Sequence, residues 1–263
     1  MSVAAFSSSS RHASGSLLLS GKTVVVTGAS RGIGAACAIA CAGAGAAELV
    51  LVARSRHDLE RVAHGVTDSG AVATVRPCDV TDASSLRKLF AYIDRVDVLV
   101  NCAGSNQPEP FTQVKEKTLD WLWELNVKAP FLATQAAAKR MIEEERPGVI
   151  INISSQMGHV GAPLRSVYCT TKHALEGLTK AAAVELAPYG IRVVSVAPTF
   201  VRTEMTARQL DDPQIGPALL EQIPLGRFAT AEEVASAVVY VASPAAAMVT
   251  GTSIEIDGGW TAR

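Results

Sequence analysis

Tyr168 and Lys172 stand four residues apart in a run that otherwise reads as apolar helix, so a phenol and an ammonium share one face. A cation there favours the tyrosinate and draws the tyrosine pKa down toward working pH. A phenol tuned in this way is a general acid/base. Fourteen and thirteen residues upstream of Tyr168, Ser154 and Ser155 place two hydroxyls just after the apolar run 149–153. Hydroxyls at such a point can meet charge that builds on a reacting oxygen. The spacing Tyr-x-x-x-Lys alone also suits an ordinary solvated pair, so its meaning depends on the elements that carry it.

Those elements alternate. Residues 23–27, 48–53, 73–76, 96–100, 149–153, 191–196 and 252–256 read as strands. Helical patterns fill 58–68, 84–94, 119–140, 166–187 and 232–242, and an alanine-rich helix follows the first strand to about Gly43. Pro130 predicts a kink in the long helix 119–140, or a fresh start after a break. Near-continuous Val/Ile/Leu strands, each followed by a helix, imply a parallel sheet covered on both faces. The expected fold is therefore a single-domain α/β doubly wound parallel sheet, a Rossmann fold of about seven strands over residues 20–263. Ligands bind such sheets at the carboxyl ends of the strands, where the strand order reverses.

The first strand leads into Gly28, Ser30, Arg31, Gly32, Ile33 and Gly34. A small-residue bend feeding a helix N-terminus suits a phosphate, because the free N–H groups and the positive end of the helix dipole face it. Its spacing is Gly-x-x-x-Gly-x-Gly rather than Gly-x-Gly-x-x-Gly. At the end of the second strand, where an acid would accept the ribose hydroxyls of NAD, the chain has Arg54 and Ser55. Arg54, with Arg31, would pair with a 2′-phosphate, so NADP(H) is favoured over NAD(H). Asp58 lies one helical turn too late to be the usual acid. After the third strand, Asp79 beside Val80 either accepts from an adenine amino group or caps the next helix. After the fourth, Asn101, Ala103 and Gly104 surround Cys102 with groups that let backbone approach a flat cofactor.

Composition narrows the partners. With 48% hydrophobic residues, 19% charged and a net charge of -1, the chain can bury a large core and carries no bulk charge for nucleic acid or an anionic membrane. No apolar run is long enough for a membrane span. The five cysteines lie singly, without zinc spacing, as expected of reduced thiols in a cytoplasmic protein. No metal site is expected. Residues 1–19 form a Ser-rich stretch expected to be a disordered tail, with an organelle transit segment as the alternative.

Taken in order, residues 27–34, residues 101–104, Asn126, Ser155, Tyr168 with Lys172, and residues 198–203 resemble the short-chain dehydrogenase/reductase family, over nearly all of residues 19–260. The resemblance implies that Tyr168 donates or accepts the proton and that Lys172 lowers its pKa while binding the nicotinamide ribose. It implies that Ser155 holds the substrate oxygen, with Ser154 as the alternative, and that Asn126 anchors a water linking Lys172 to solvent. Pro198, Val201 and Thr203 would line the nicotinamide, and the closing residues 250–259 resemble the family's tetramer-forming C-terminus. Cys102 and Thr199 depart from the family pattern.

Residues 200–224 are expected to close over the substrate as a lid. Ser105, Asn106, Gln107, Gln156, His159, Leu164 and Arg165 are candidate wall residues, with His159 better read as a surface side chain. This polar set favours a small polar ketone, sugar or polyol, with Gln156 joining Ser155 and Tyr168 at the substrate. The motifs are similar to those of dicarbonyl/xylulose reductases and equally to those of 3-oxoacyl-carrier-protein reductases, whose thioester substrates are the alternative. A non-catalytic dinucleotide-binding sensor or scaffold would need a broken catalytic set.

Overall fold

Val24, Val25 and Val26 are all fully buried, although consecutive strand residues face opposite ways. The strand that carries them, β1 (Thr23–Thr27), must therefore be covered on both sides. The computed structural model describes residues 18–262. In it β1 sits inside a sheet with β2 (Glu48–Ala53), β3 (Val72–Pro77), β4 (Val98–Asn101), β5 (Gly148–Ile153), β6 (Ile191–Pro198) and β7 (Ser253–Ile256). The order is β3-β2-β1-β4-β5-β6-β7, and every pairing is parallel. The chain winds outward from β1 in one direction and then from β4 in the other, so the order reverses between these two strands.

Side-chain alternation divides the core into two layers. Val24, Val26, Leu49 and Leu51 pack with α1 (Gly32–Gly43), α2 (Arg56–Asp68) and α9 (Ala231–Ala242). Val25, Val50, Val52 and Leu99 pack on the other side with α3 (Ala83–Ala91) and α5 (Ala129–Glu143). The doubly wound parallel sheet expected from the strand composition is what forms.

Several boundaries differ from the sequence expectation, each for a local reason. Helix α2 starts at Arg56 because the Ser55 hydroxyl accepts the Asp58 N–H at 3.3 Å. Helix α3 is capped by Asp82, which accepts the Ser84 N–H at 2.9 Å, and not by Asp79, whose carboxylate turns back onto Thr81. The single helix expected over 119–140 is instead α4 (Glu116–Trp123), a π turn over Glu124–Lys128, and α5. Pro130 has no N–H to return to the Asn126 carbonyl, and the Ala129 N–H reaches five residues back to Glu124. The break is therefore an inserted wide turn.

Residues 1–17 and 263 lie outside the described residues, and with them most of the expected tail. Leu19 corrects its boundary, because the side chain is fully buried and its N–H donates to the Ala44 carbonyl at 2.9 Å. After β6, residues 200–224 carry two short helices, α7 (Ala207–Leu210) and α8 (Ile215–Leu220), with Leu210 and Ile223 buried beneath them. The remaining helix, α6 (Ser166–Leu186), runs from the carboxyl edge of the sheet along β6. No described helix is long and apolar enough to cross a membrane.

Candidate active site

The reversal between β1 and β4 opens directly beneath the glycine bend. Gly28 has φ +69°, and a Cβ on it would lie 2.8 Å from the Ala103 Cα, so the bend lies against the strand end of β4. A Cβ on Gly34 would lie 2.2 Å from the Gly28 carbonyl oxygen, closing the bend onto the first turn of α1. Arg31 occupies the N-cap with extended backbone and makes no side-chain cap, which leaves first-turn N–H groups available to an anion. Ser30 and Ile33 flank it and are half-buried. The Thr203 side chain lies 3.5 Å from where a Gly32 Cβ would sit, so the segment after β6 reaches the glycine bend. Val201 is held beside it by a bridge to Ala229. Thr199, next to Pro198, is buried with its hydroxyl unpartnered. A bend closed to any Cβ at Gly28 and Gly34, opening onto uncapped first-turn N–H groups, fits the phosphates of a dinucleotide.

Arg54 and Arg31 are exposed, and neither lies within ion-pair distance of a described carboxylate. Asp58 is engaged with Arg61 at 3.0 Å. Ser55 spends its oxygen on the α2 cap. Val80 is buried beside Cys78, and Asp79 is exposed.

Three α6 side chains at successive i,i+4 positions converge inward from Tyr168: Lys172 and then Glu176, both buried, follow it. The Tyr168 phenol lies close enough to Ser155 for that hydroxyl to favour its ionised form. Ser155 Oγ lies 3.1 Å from Gln156 Oε1 and accepts the Met157 N–H at 3.2 Å. Ser154 is buried with its hydroxyl unpartnered and lies against Gly158. Of the two serines, Ser155 is the one brought to the phenol. Lys172 Nζ donates to the Ile153 carbonyl at 2.8 Å and lies 5.6 Å from the Tyr168 ring centre. A Cβ on Gly104 would lie 3.9 Å from that ammonium.

Burial pushes Tyr168 up to about 12, opposed by the neighbouring Ser155 hydroxyl and the Arg165 charge. Burial likewise draws Lys172 down to about 8. Cys102 lies close enough to feel the Lys172 charge, yet burial raises its thiol to about 12, so it is an inert wall.

Two asparagines behave differently from a surface residue. Asn126, at the π turn, is buried; its Oδ1 accepts the Ser105 N–H at 3.0 Å, and its Nδ2 donates to the Ser105 carbonyl and to Thr171. It pins the strand-end loop to α6. Asn101 turns its amide into the protein, donating to Asn152 at 2.9 Å and Thr134 at 3.2 Å, so its side chain locks β4 to β5 rather than facing the cleft. His159 also leaves the candidate wall: its Nε2 lies 3.1 Å from Ser253 Oγ on β7 and 3.6 Å from Glu176. Thr27 enters the sequence reading only as the first residue of the run 27–34, with no role of its own, although its hydroxyl receives the Cys102 and Ala103 N–H groups and so shapes the floor. Its signal was its position immediately before the first glycine. Among the described residues no cluster of side chains could hold a metal.

A parallel sheet that offers an anion cradle at its reversal, and a phenol, hydroxyl and ammonium beside it, defines a dinucleotide-dependent oxidoreductase. A family model described as enoyl-(acyl carrier protein) reductase matches residues 28–261. The chain is 39% identical to the L-xylulose reductase of Bos taurus over 247 residues, covering 94% of this chain and 99% of that one. It is 37% identical to the D-threitol dehydrogenase of Mycolicibacterium smegmatis, covering 93% and 95%. The solved gluconate 5-dehydrogenase of Burkholderia cenocepacia, in complex with NADP and tartrate, superposes with TM-score 0.89 at 31% identity, covering 94% of this chain and 98% of that one. The chain belongs to the short-chain dehydrogenase/reductase family.

Proposed function

We propose that the enzyme interconverts a small polyhydroxylated ketone and its secondary alcohol with NADP(H). The observation that carries this reading is the convergence of the Tyr168 phenol, the Ser155 hydroxyl and the Lys172 ammonium at one strand end. In reduction Tyr168 gives its proton to the carbonyl oxygen while Ser155 turns its hydrogen from Gln156 toward the same atom. Lys172 keeps two N–H donors beyond its Ile153 bond for the nicotinamide ribose. Asn126, Gly104 and Ser105 fix the loop above it. When bound, the nicotinamide supplies or accepts the hydride. Gly28, Ser30, Arg31, Gly32, Ile33 and Gly34 hold the phosphates, and Asp79, Val80, Ala103, Pro198, Val201 and Thr203 border the bases and ribose. The relatives named for L-xylulose and D-threitol support the substrate class, and the NADP-bound gluconate dehydrogenase supports the cofactor. With NADPH, a panel of ketoses and dicarbonyls is expected to outpace 3-oxoacyl thioesters; faster thioester reduction would replace this reading.

Arg54 and Arg31 carry the cofactor choice. Arg54→Asp is expected to weaken NADPH binding about 100-fold, as removal of a charge-assisted phosphate contact and its replacement by a like charge requires, and to shift preference to NADH. Fluorescence titration with both cofactors checks this, and an unaltered ratio would remove Arg54 from the phosphate site.

Protonation gives a second expectation. Tyr168 stays protonated to about 12, so it is not the group that limits reduction near neutrality. Lys172 is charged below about 8 and loses its charge as pH rises through that value. The reductive kcat/KM should therefore be level at lower pH and fall above about 8. In Lys172→Arg the guanidinium remains charged, and the break should leave the range between pH 7 and 10. A wild-type profile level to pH 10 would refute the assignment.

The assembly we propose is a homotetramer in the cytoplasm. Leu119, Trp121, Trp123 and Phe131 leave large apolar surface exposed along α4 and α5, and Val184, Tyr240 and Met248 do so elsewhere. Light scattering on the eluted protein measures the assembly directly.

A further inference from the structure

Arg165 is only 7% exposed, yet no described carboxylate lies within ion-pair distance of it. A buried guanidinium without an anion is costly, and proteins ordinarily pair such a charge. Its described hydrogen bond, from Nη2 to Gln209 Oε1 at 3.3 Å, uses one of five N–H donors. The residue is not a remnant of helix packing. It stands at the N-cap of α6, three residues before Tyr168, and its carbonyl receives the Cys169 N–H that opens the helix.

Its placement is built on both sides. Leu164, immediately before it, has φ +62°, a left-handed conformation that is unfavourable for leucine. The Leu164 carbonyl is held in place by the Glu109 N–H at 3.1 Å. This turn leaves the Leu164 side chain outside and sends Arg165 in. Gln209 belongs to α7, in the segment above the cleft, so the guanidinium spans from the catalytic helix to the lid. Gln156, next to Ser155, is almost fully buried and its Nε2 has no partner. The N-terminal end of a helix adds a favourable potential for negative charge at the same place.

We propose that Arg165 receives a carboxylate on the substrate, so that the preferred ketone is a polyhydroxy keto acid rather than a neutral ketose. One planar guanidinium bridging to a lid amide matches one singly charged carboxylate, bound through the donors that Gln209 leaves free. The bound acid completes the contact between α6 and α7, which ties lid position to substrate charge. Arg165 is thus a specificity residue, and the hydride and proton transfers are those already assigned. The inference rests on the reading of the enzyme as a reductase of polyhydroxylated ketones.

The test compares 5-keto-D-gluconate with L-sorbose, which has the same carbon skeleton and no carboxylate, using the full-length enzyme and NADPH. The wild type is expected to favour the keto acid in kcat/KM by about 100-fold, the scale of a desolvated charge-assisted contact. Most of the difference should lie in KM. Arg165→Gln should bring the ratio to within a few fold of unity, and Arg165→Lys should restore part of it. The wild-type ratio keeps the proposal falsifiable if Arg165→Gln does not fold. Turnover of both substrates with L-sorbose equal or preferred would overturn the carboxylate assignment alone. Turnover of neither, with thioesters reduced instead, would overturn the underlying reading. Faster reduction of fructose 6-phosphate than of the keto acid would assign Arg165 to phosphate and also overturn the proposal.

Discussion

Tyr168→Phe is expected to lower kcat/KM for carbonyl reduction by about 10⁴-fold, the upper range for removing a positioned general acid. The substitution removes one oxygen from a half-buried ring on α6 and leaves the packing of the ring in place. Ser155 keeps its bonds with Gln156 and Met157, so the strand end should not move. NADPH affinity should change by no more than about fivefold, because Lys172 and the glycine bend are untouched. The measurement is steady-state reduction beside a fluorescence titration of the same preparation. Retained turnover with retained binding would show that another group supplies the proton.

The second large effect is at Gly34. A methyl there would meet the Gly28 carbonyl oxygen at 2.2 Å, a contact between two backbone segments that no rotamer can relieve. Gly34→Ala should therefore destabilise the fold by about 3 kcal/mol, seen as a Tm lower by roughly 6 to 12 °C. NADPH binding should be lost even where the protein remains folded, because the bend must open to accept the methyl. Gly43→Ala, at the far end of the same helix, meets no atom within 4 Å and is the control. It should be neutral or more stable by about 0.5 to 1 kcal/mol, since alanine is the better helix former. Equal losses at both positions would mean that general helix intolerance, and not the closed bend, sets the cost.

The fold was legible because buried parallel strands leave a strong mark: residues such as Val24, Val25 and Val26 must be apolar on both faces. The grouping of Tyr168, Lys172 and Ser155 was legible for a similar reason, since helix and strand periodicity fix which side chains can meet. What remained hidden depended on partners distant in sequence. Asn101 reads as a cleft residue until Asn152 and Thr134 arrive beside it from β5 and α5. The Ile153 carbonyl that receives one Lys172 N–H lies nineteen residues away in the chain and on another element. Asp79 and Asp82 compete within one short loop, and backbone direction alone decides that Asp82 caps α3. His159 has no local feature that foretells Ser253 and Glu176.

The π turn at Glu124–Lys128 sets a rotational phase. Each residue advances a helix by about 100°, so one surplus residue decides which stripe α5 turns inward. With it in place, Ala133, Ala137 and Met141 face the sheet, while Trp121 and Trp123 remain outside on α4. Asn126 sits at the pivot, aimed at Ser105. Deleting a single residue from this turn would restore a straight helix and rotate one half against the other, so that either the alanine stripe or the asparagine must face the wrong way. The irregularity works as a clutch between two halves of a helix: one is timed to the sheet and the other to the catalytic cleft.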